Sequence, residues 1–179
     1  MPAPDLASVP AFYHNYIRQV AEKSLPQVME EHLQPLSASL QGLSEDDWCY
    51  AYAAGKWTLK ELVQHMIDAE RIFSYRALCI ARQDQRPLPG FDENAYADHS
   101  MANEREGASI LEELNAADKS TRCLFASFND MQLSATGIAN GAPISVNAIG
   151  YIIAGHALHH GRIIRERYLD RSYRMSNKQ

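Results

Sequence analysis

Val146, Ile149, Ile153, His156, His160 and Ile163 step by 3, 4, 3, 4 and 3 near the C-terminus. That spacing marks one inward face of an α-helix in a helical bundle. A strand would bring every second residue to one face, so a sheet is excluded for this segment. A second line, Leu62, His65, Ala69, Ile72 and Arg76, steps by 3, 4, 3 and 4. The fold must therefore bring two long helices together along apolar seams. Both seams carry histidine where an apolar residue is expected.

The remaining segments read as partners for these two. Residues 1–9 read as a loose tail, with prolines at 2, 4 and 10, and a short amphipathic piece follows over 12–20. A first long helix is expected over 24–41, where Ser24 and Gln27 have capping-box spacing and Gly42 ends it. The second, over 58–82, has Thr58 as N-cap, Glu61 at N3 and a Trp57–Leu62 staple. Residues 83–100 read as a long loop, and a third helix is expected over 103–130. A loop rich in turn formers follows over 131–143 (Gly137, Asn140, Gly141, Pro143), then a fourth helix over 145–170. No alternating strand pattern exceeds four residues. The expectation is all-α: one up-and-down four-helix bundle over 1–179, with an ordered core at about 10–170.

Composition narrows the function classes. The chain has 179 residues, enough for one domain with a sizeable core. A net charge of −5 argues against nucleic-acid binding, which needs clustered Lys and Arg. Arg162, Arg165, Arg167, Arg171 and Arg174 read as a solvated, dipole-complementing helix end. No apolar run has the length of a membrane span, and no secretory leader is recognisable. Three scattered cysteines, Cys49, Cys79 and Cys123, make no disulfide framework, so a cytoplasmic protein is expected.

The seams then place the histidines. His156 and His160 are i, i+4, about 40° apart on one helix face, so their rings can converge on one ion. A third ligand must come from another helix, and His65 is the other inward histidine. His159 lies one residue off the line. It is an alternative to His160, because i, i+3 neighbours also meet, but the seam favours His160. His14 and His32 read as surface residues and His99 as a loop residue. A single buried histidine is usually hydrogen-bonded core. Three on two facing seams are harder to satisfy, at about 1–3 kcal/mol for each unpartnered group. Asp68 and Glu61 lie near enough in sequence to accept the second ring N–H of His65, though capping suits Glu61 and solvation suits Asp68. Arg76 would hold an anion if inward, or snorkel at the bundle end. Tyr96 would cover the site or anchor the long loop.

Three stretches carry a resemblance. Gly55-Lys56-Trp57-Thr58-Leu59-Lys60-Glu61-Leu62-Val63-Gln64-His65 resembles the second-helix entry of the DinB/YfiT-like family. Pro89-Gly90-Phe91-Asp92-Glu93-Asn94-Ala95-Tyr96 resembles the loop that follows in that family, and Gly155-His156-Ala157-Leu158-His159-His160-Gly161-Arg162-Ile163 resembles its H-x-x-H-H segment. The likeness runs from about Pro10 to Tyr168 in matching order. It implies a four-helix bundle binding a divalent metal, usually nickel or zinc, through residues that map onto His65, His156 and His160. Three imidazoles leave a coordination position open for water or substrate, as in catalytic sites. The resemblance further implies a metal-dependent hydrolase, or a transferase of a low-molecular-weight thiol such as bacillithiol or mycothiol, acting on a small molecule; the alternative is a non-catalytic metal-binding or interaction bundle. Proteins of this type often pair through an outer helix face, so a homodimer is compatible with the sequence.

Overall fold

The computed structural model describes residues 1–170, so the expected polar tail with Arg171 and Arg174 lies outside the described residues. The chain begins with four short helices: α1 (His14–Arg18), α2 (Leu25–Glu31), α3 (Gln34–Leu40) and α4 (Glu45–Trp48). The Ser24–Gln27 capping box is present at α2. The single helix expected over 24–41 is broken at His32 and Leu33. Pro35 lacks an N–H and its ring would clash with the carbonyl of Glu31, so the helix restarts with Pro35 in the first turn of α3.

Then come α5 (Leu59–Ala81), α6 (Glu93–His99), α7 (Gly107–Ala126) and α8 (Asp130–Ser134). A hairpin of β1 (Thr136–Ala139) and β2 (Ala142–Ser145) leads into α9 (Val146–Ile163), which continues as a π-helical stretch over Ile164–Leu169. The capping box expected at Thr58 opens α5: the Thr58 amide donates to Glu61 Oε2 at 2.7 Å, and Thr58 Oγ1 accepts the Glu61 amide at 3.2 Å. The two expected loops hold more order than anticipated. Asp92 caps α6 by accepting the amides of Asn94 and Ala95. Asn140 and Gly141, both at positive φ, make the tight turn of the hairpin.

The first nine residues are packed, not loose. The Met1 carbonyl accepts from the Leu25 amide and the Tyr151 hydroxyl, the Pro2 carbonyl accepts from Asn147 Nδ2, and Val9 is buried. Asn147 and Tyr151 are polar groups on the buried surface of α9; the Pro2 carbonyl accepts from Asn147, and the Tyr151 hydroxyl lies between the Lys23 carbonyl at 2.7 Å and the Met1 carbonyl at 3.2 Å.

α5 packs against α7 and α9, the α2–α3 arm against α7 and α9, and α1 against α9. This is the four-helix bundle expected, with one departure from simple alternation. α5 and α7 run in the same direction, since Arg71 bonds Glu113 and, further along both helices, Ser74 bonds Thr121 at 2.9 Å. The connection over 82–106 is therefore a crossover that carries the chain back along the bundle. α9 starts beside the end of α5, where Gly137 meets Ile80, and returns towards His65. No helix among the described residues is long and apolar enough to cross a membrane.

α1 can lie against α9 because residue 155 is glycine. A Cβ there would stand 2.1 Å from the Tyr16 carbonyl oxygen and 2.4 Å from its carbon. Backbone cannot swing aside as a flexible side chain can, so any larger residue must push α1 off α9.

A polar cluster is sealed between the arm, α5 and α7. His32, read above as a surface residue, is 3% exposed. It sits at the α2–α3 break, with Nδ1 donating to the Val28 and Met29 carbonyls and Nε2 3.4 Å from Asp118 Oδ1. Glu70 is buried beside Asp118 and Thr121, and burial pushes its carboxyl up to about 7.

Two measurements follow from this packing. Gly155→Ala should destabilise the fold by about 2 kcal/mol, lowering Tm by about 5 °C in calorimetry. Gly161→Ala, whose Cβ would meet nothing nearer than 3.5 Å, should leave Tm unchanged or raise it by a few degrees. Equal effects of the two would contradict the close-approach role. Glu70 is neutral in the fold until pH nears 7, whereas unfolded glutamate ionises above about 4.5. The native state then holds the extra proton, so its stability falls as pH rises through that window, by about 3 kcal/mol in all. Urea melts of Glu70→Gln should lack this fall, and an unchanged pH slope would remove Glu70 as its cause.

Candidate metal centre

His65 lies two turns into α5, on the face turned to α9. His156 and His160 lie one turn apart on α9. His65 Nε2 and His156 Nε2 are 3.2 Å apart, and His160 Nε2 and His156 Nε2 are 3.0 Å apart. One nitrogen from each ring lies within 4.8 Å of the other two, the only such group of metal-ligating side chains among the described residues.

The surrounding rings hold these imidazoles in place. Trp57 lies tilted against His65 with centroids 4.9 Å apart. Tyr16 meets His156 edge-on at 5.5 Å, and Phe73 meets it at 6.3 Å. Desolvation sets the protonation state. Burial lowers the His65 pKa to about 4 and that of His160 to about 3, and it pushes His156 well below the usual imidazole value, with the neighbouring rings adding to the shift. All three are neutral at physiological pH, each with a free lone pair.

Neutral imidazoles alone do not satisfy this arrangement. The His156 Nε2 faces two other Nε2 atoms, yet a ring nitrogen carries either one proton or one lone pair. It can make a good bond to one neighbour at a time. His160 Nδ1 is also buried without a partner. A cation accepting three lone pairs would resolve the convergence. On a tetrahedral ion with bonds of about 2.05 Å, the nitrogens stand about 3.3 Å apart, close to the spacings present. The donor set fits a divalent metal.

A cavity of about 310 Å³ opens beside the triad. His65, Ala69, Phe73 and Arg76 form its α5 wall and His156 its α9 wall; Phe12, Tyr13, Tyr16, Phe91, Asp92, Glu93 and Asn140 complete it. A larger cavity of about 520 Å³ lies elsewhere on α5, lined by Asp68, Arg71, Tyr96 and His99. It contains none of the three histidines, so the smaller one is the candidate site.

The other residues singled out from the sequence are placed as follows. Asp68 accepts from Gln64 Nε2 at 3.0 Å, and it lines the larger cavity with no bond to His65. Glu61 is committed to the cap and to Asn103 Nδ2 at 2.9 Å. Tyr96 is half-exposed on α6 and meets Phe91 edge-on at 5.2 Å, outside the cavity of the triad. Arg76 lines that cavity and donates to the Pro89 carbonyl at 2.7 Å. His159 is not in the converging group; its ring stands edge-on between His160 at 5.0 Å and Tyr16 at 5.5 Å. His14 is half-buried with Nε2 2.8 Å from the Val9 carbonyl, and His99 ends α6. Tyr16 and Phe73 were missed; the pointer to Tyr16 was Gly155, an unexplained glycine within a helical seam.

Comparisons with known proteins agree with this architecture. A search of curated proteins returns no match. Among solved structures, the chain is similar to YfiT from Bacillus subtilis, described as "a probable metal-dependent hydrolase with an unusual four-helix bundle topology". The two share 19% sequence identity with a TM-score of 0.73, over 85% of this chain and 86% of that one. Residues 29–164 match the DinB superfamily, which takes in α5, α7, α9 and all three histidines. The chain belongs to the DinB superfamily.

Proposed function

We propose that this protein is a metal-dependent enzyme that holds a divalent ion, nickel or zinc, through His65, His156 and His160 and acts on a small molecule. The observation that carries the reading is the convergence of three neutral imidazole nitrogens, 3.0 and 3.2 Å apart, with His65 and His156 at the wall of a ligand-sized cavity and His160 lining a neighbouring one of about 250 Å³. When bound, the metal lowers the pKa of a coordinated water or thiol and polarises the substrate.

The chain's own residues supply position and dryness. Trp57, Tyr16 and Phe73 hold the rings against rotation and keep bulk water from their faces. The cavity lining contains no Ser, Thr, Cys or Lys, and the three cysteines lie elsewhere. The carboxylates that do line it are engaged or solvated, Asp92 in the α6 cap and Glu93 in solvent, which favours an external nucleophile. Water makes the enzyme a hydrolase, the class named for YfiT. A low-molecular-weight thiol makes it a transferase, which the family resemblance supports.

His160→Ala should weaken metal binding by more than about 100-fold, since even partners one layer beyond the ligands typically cost 10–100-fold. Elemental analysis after dialysis should find metal in the wild type and little in the variant. Loading at 100 times Kd should stabilise only the wild type, by about 2.7 kcal/mol. Metal-loaded protein is then assayed on an ester panel and in thiol conjugation. Turnover lost in His160→Ala is expected; metal retained in the variant, or no turnover of any substrate, overturns the reading.

A further inference from the structure

Arg76 is 4% exposed and has no carboxylate partner among the described residues. The contrast with other arginines is sharp. Arg71 and Arg105 pair with Glu113, Arg86 with Asp84, and Arg122 with Glu30 and Asp118. All of those are more accessible to solvent. An uncompensated buried guanidinium is costly, and protein interiors rarely keep one without an anion to receive it.

Its neighbours hold it without neutralising it. Nη2 donates to the Pro89 carbonyl, the Tyr13 side chain lies within hydrogen-bonding reach, and the guanidinium carbon lies 5.5 Å from the Phe73 ring centroid. Five N–H donors are available to a guanidinium, so a fork remains for a ligand. Asp92 and Glu93 also line the cavity, but neither pairs with Arg76. Asp92 is spent on the α6 cap, and Glu93 is exposed.

We propose that the cavity takes an elongated monocarboxylate, with its carboxylate on Arg76, an apolar body along Phe73 and Phe91, and its reacting group at the three histidines. This names the substrate class and rests on the functional reading above. The charge count selects a monoanion: one guanidinium and no lysine line the cavity, and two carboxylates lie on the same wall. A phosphate dianion would meet more repulsion than attraction there. The length follows from the helix. Arg76 stands eleven residues beyond His65, but its side chain leans back towards the helix N-terminus, where its guanidinium carbon lies 5.5 Å from the Phe73 centroid and that ring 6.3 Å from the His156 centroid. The two ends therefore stand no more than about 12 Å apart, a span that suits an acid carrying an aryl-alkyl body. Phe12, 74% exposed at the cavity wall and packed on Tyr13 and Tyr16, offers an aromatic face to the apolar body.

The test uses phenylbutyrate and its uncharged amide, phenylbutyramide, titrated by calorimetry into the full-length protein with metal content measured on the same sample. The carboxylate should bind at least about tenfold more tightly than the amide, as expected for bonds to a charged group. Arg76→Gln keeps a donor for Pro89 and should abolish the preference with metal content unchanged; Arg76→Lys should retain part of it. Equal binding of the two probes to wild type, or no carboxylate binding tighter than about 1 mM, overturns the proposal. A preference that survives in Arg76→Gln also overturns it, because the carboxylate then sits on the metal. Failure of the functional reading looks different: wild type holds no metal, while the Arg76-dependent preference is still read in the metal-free protein.

Discussion

α9 is buried on almost every side, and the rest of the molecule is arranged to make that so. From Val146 to Ala157 no residue is left in solvent. A helix without a polar face must be enclosed, and one neighbour cannot enclose it. α5 covers one face, the α2–α3 arm another, α1 a third, and the first residues of the chain close over its N-terminal turns. The histidines are neutral for the same reason. They sit where the enclosure begins to thin, near enough to the dry interior to lose their protons and near enough to the cavity to meet a ligand.

Much of this was legible from spacing alone. The 3–4 steps placed His65, His156 and His160 on facing seams, and the Thr58–Glu61 box marked the start of α5. Those signals are local, decided within two helical turns. What stayed hidden depended on contacts between distant segments. His32 sits among polar residues and reads as surface, yet the break imposed by Pro35 turns it into the bundle against Asp118. The N-terminal residues lack helical periodicity and read as a tail, but the Pro2 carbonyl accepts from the buried Asn147 and the Met1 carbonyl from the Leu25 amide. The shared direction of α5 and α7 follows from the length of their crossover and from pairs such as Ser74–Thr121, which no single segment announces.

The hairpin shows how a clear signal can still be missed. Asn140-Gly141 is a strong tight-turn pair, but its flanking strands have only four residues each, too short for alternation to stand out. Its role is tertiary. The Leu88 amide donates to the Ile138 carbonyl and the Asn140 amide to the Leu88 carbonyl, so the hairpin grips the loop after α5.

That grip divides the site into two parts with different freedoms. The triad stands on long helices whose geometry is set by the whole bundle. The cavity wall at Phe91 and Asn140 is carried by the loop after α5, clasped to β1 and its turn by two backbone bonds, and Pro89 in turn steadies Arg76. Backbone bonds do not depend on side-chain identity, so the wall can exchange its side chains while the clasp holds. A descendant of this chain could change what it accepts by rewriting that short stretch and leave the histidines, and the chemistry they support, untouched.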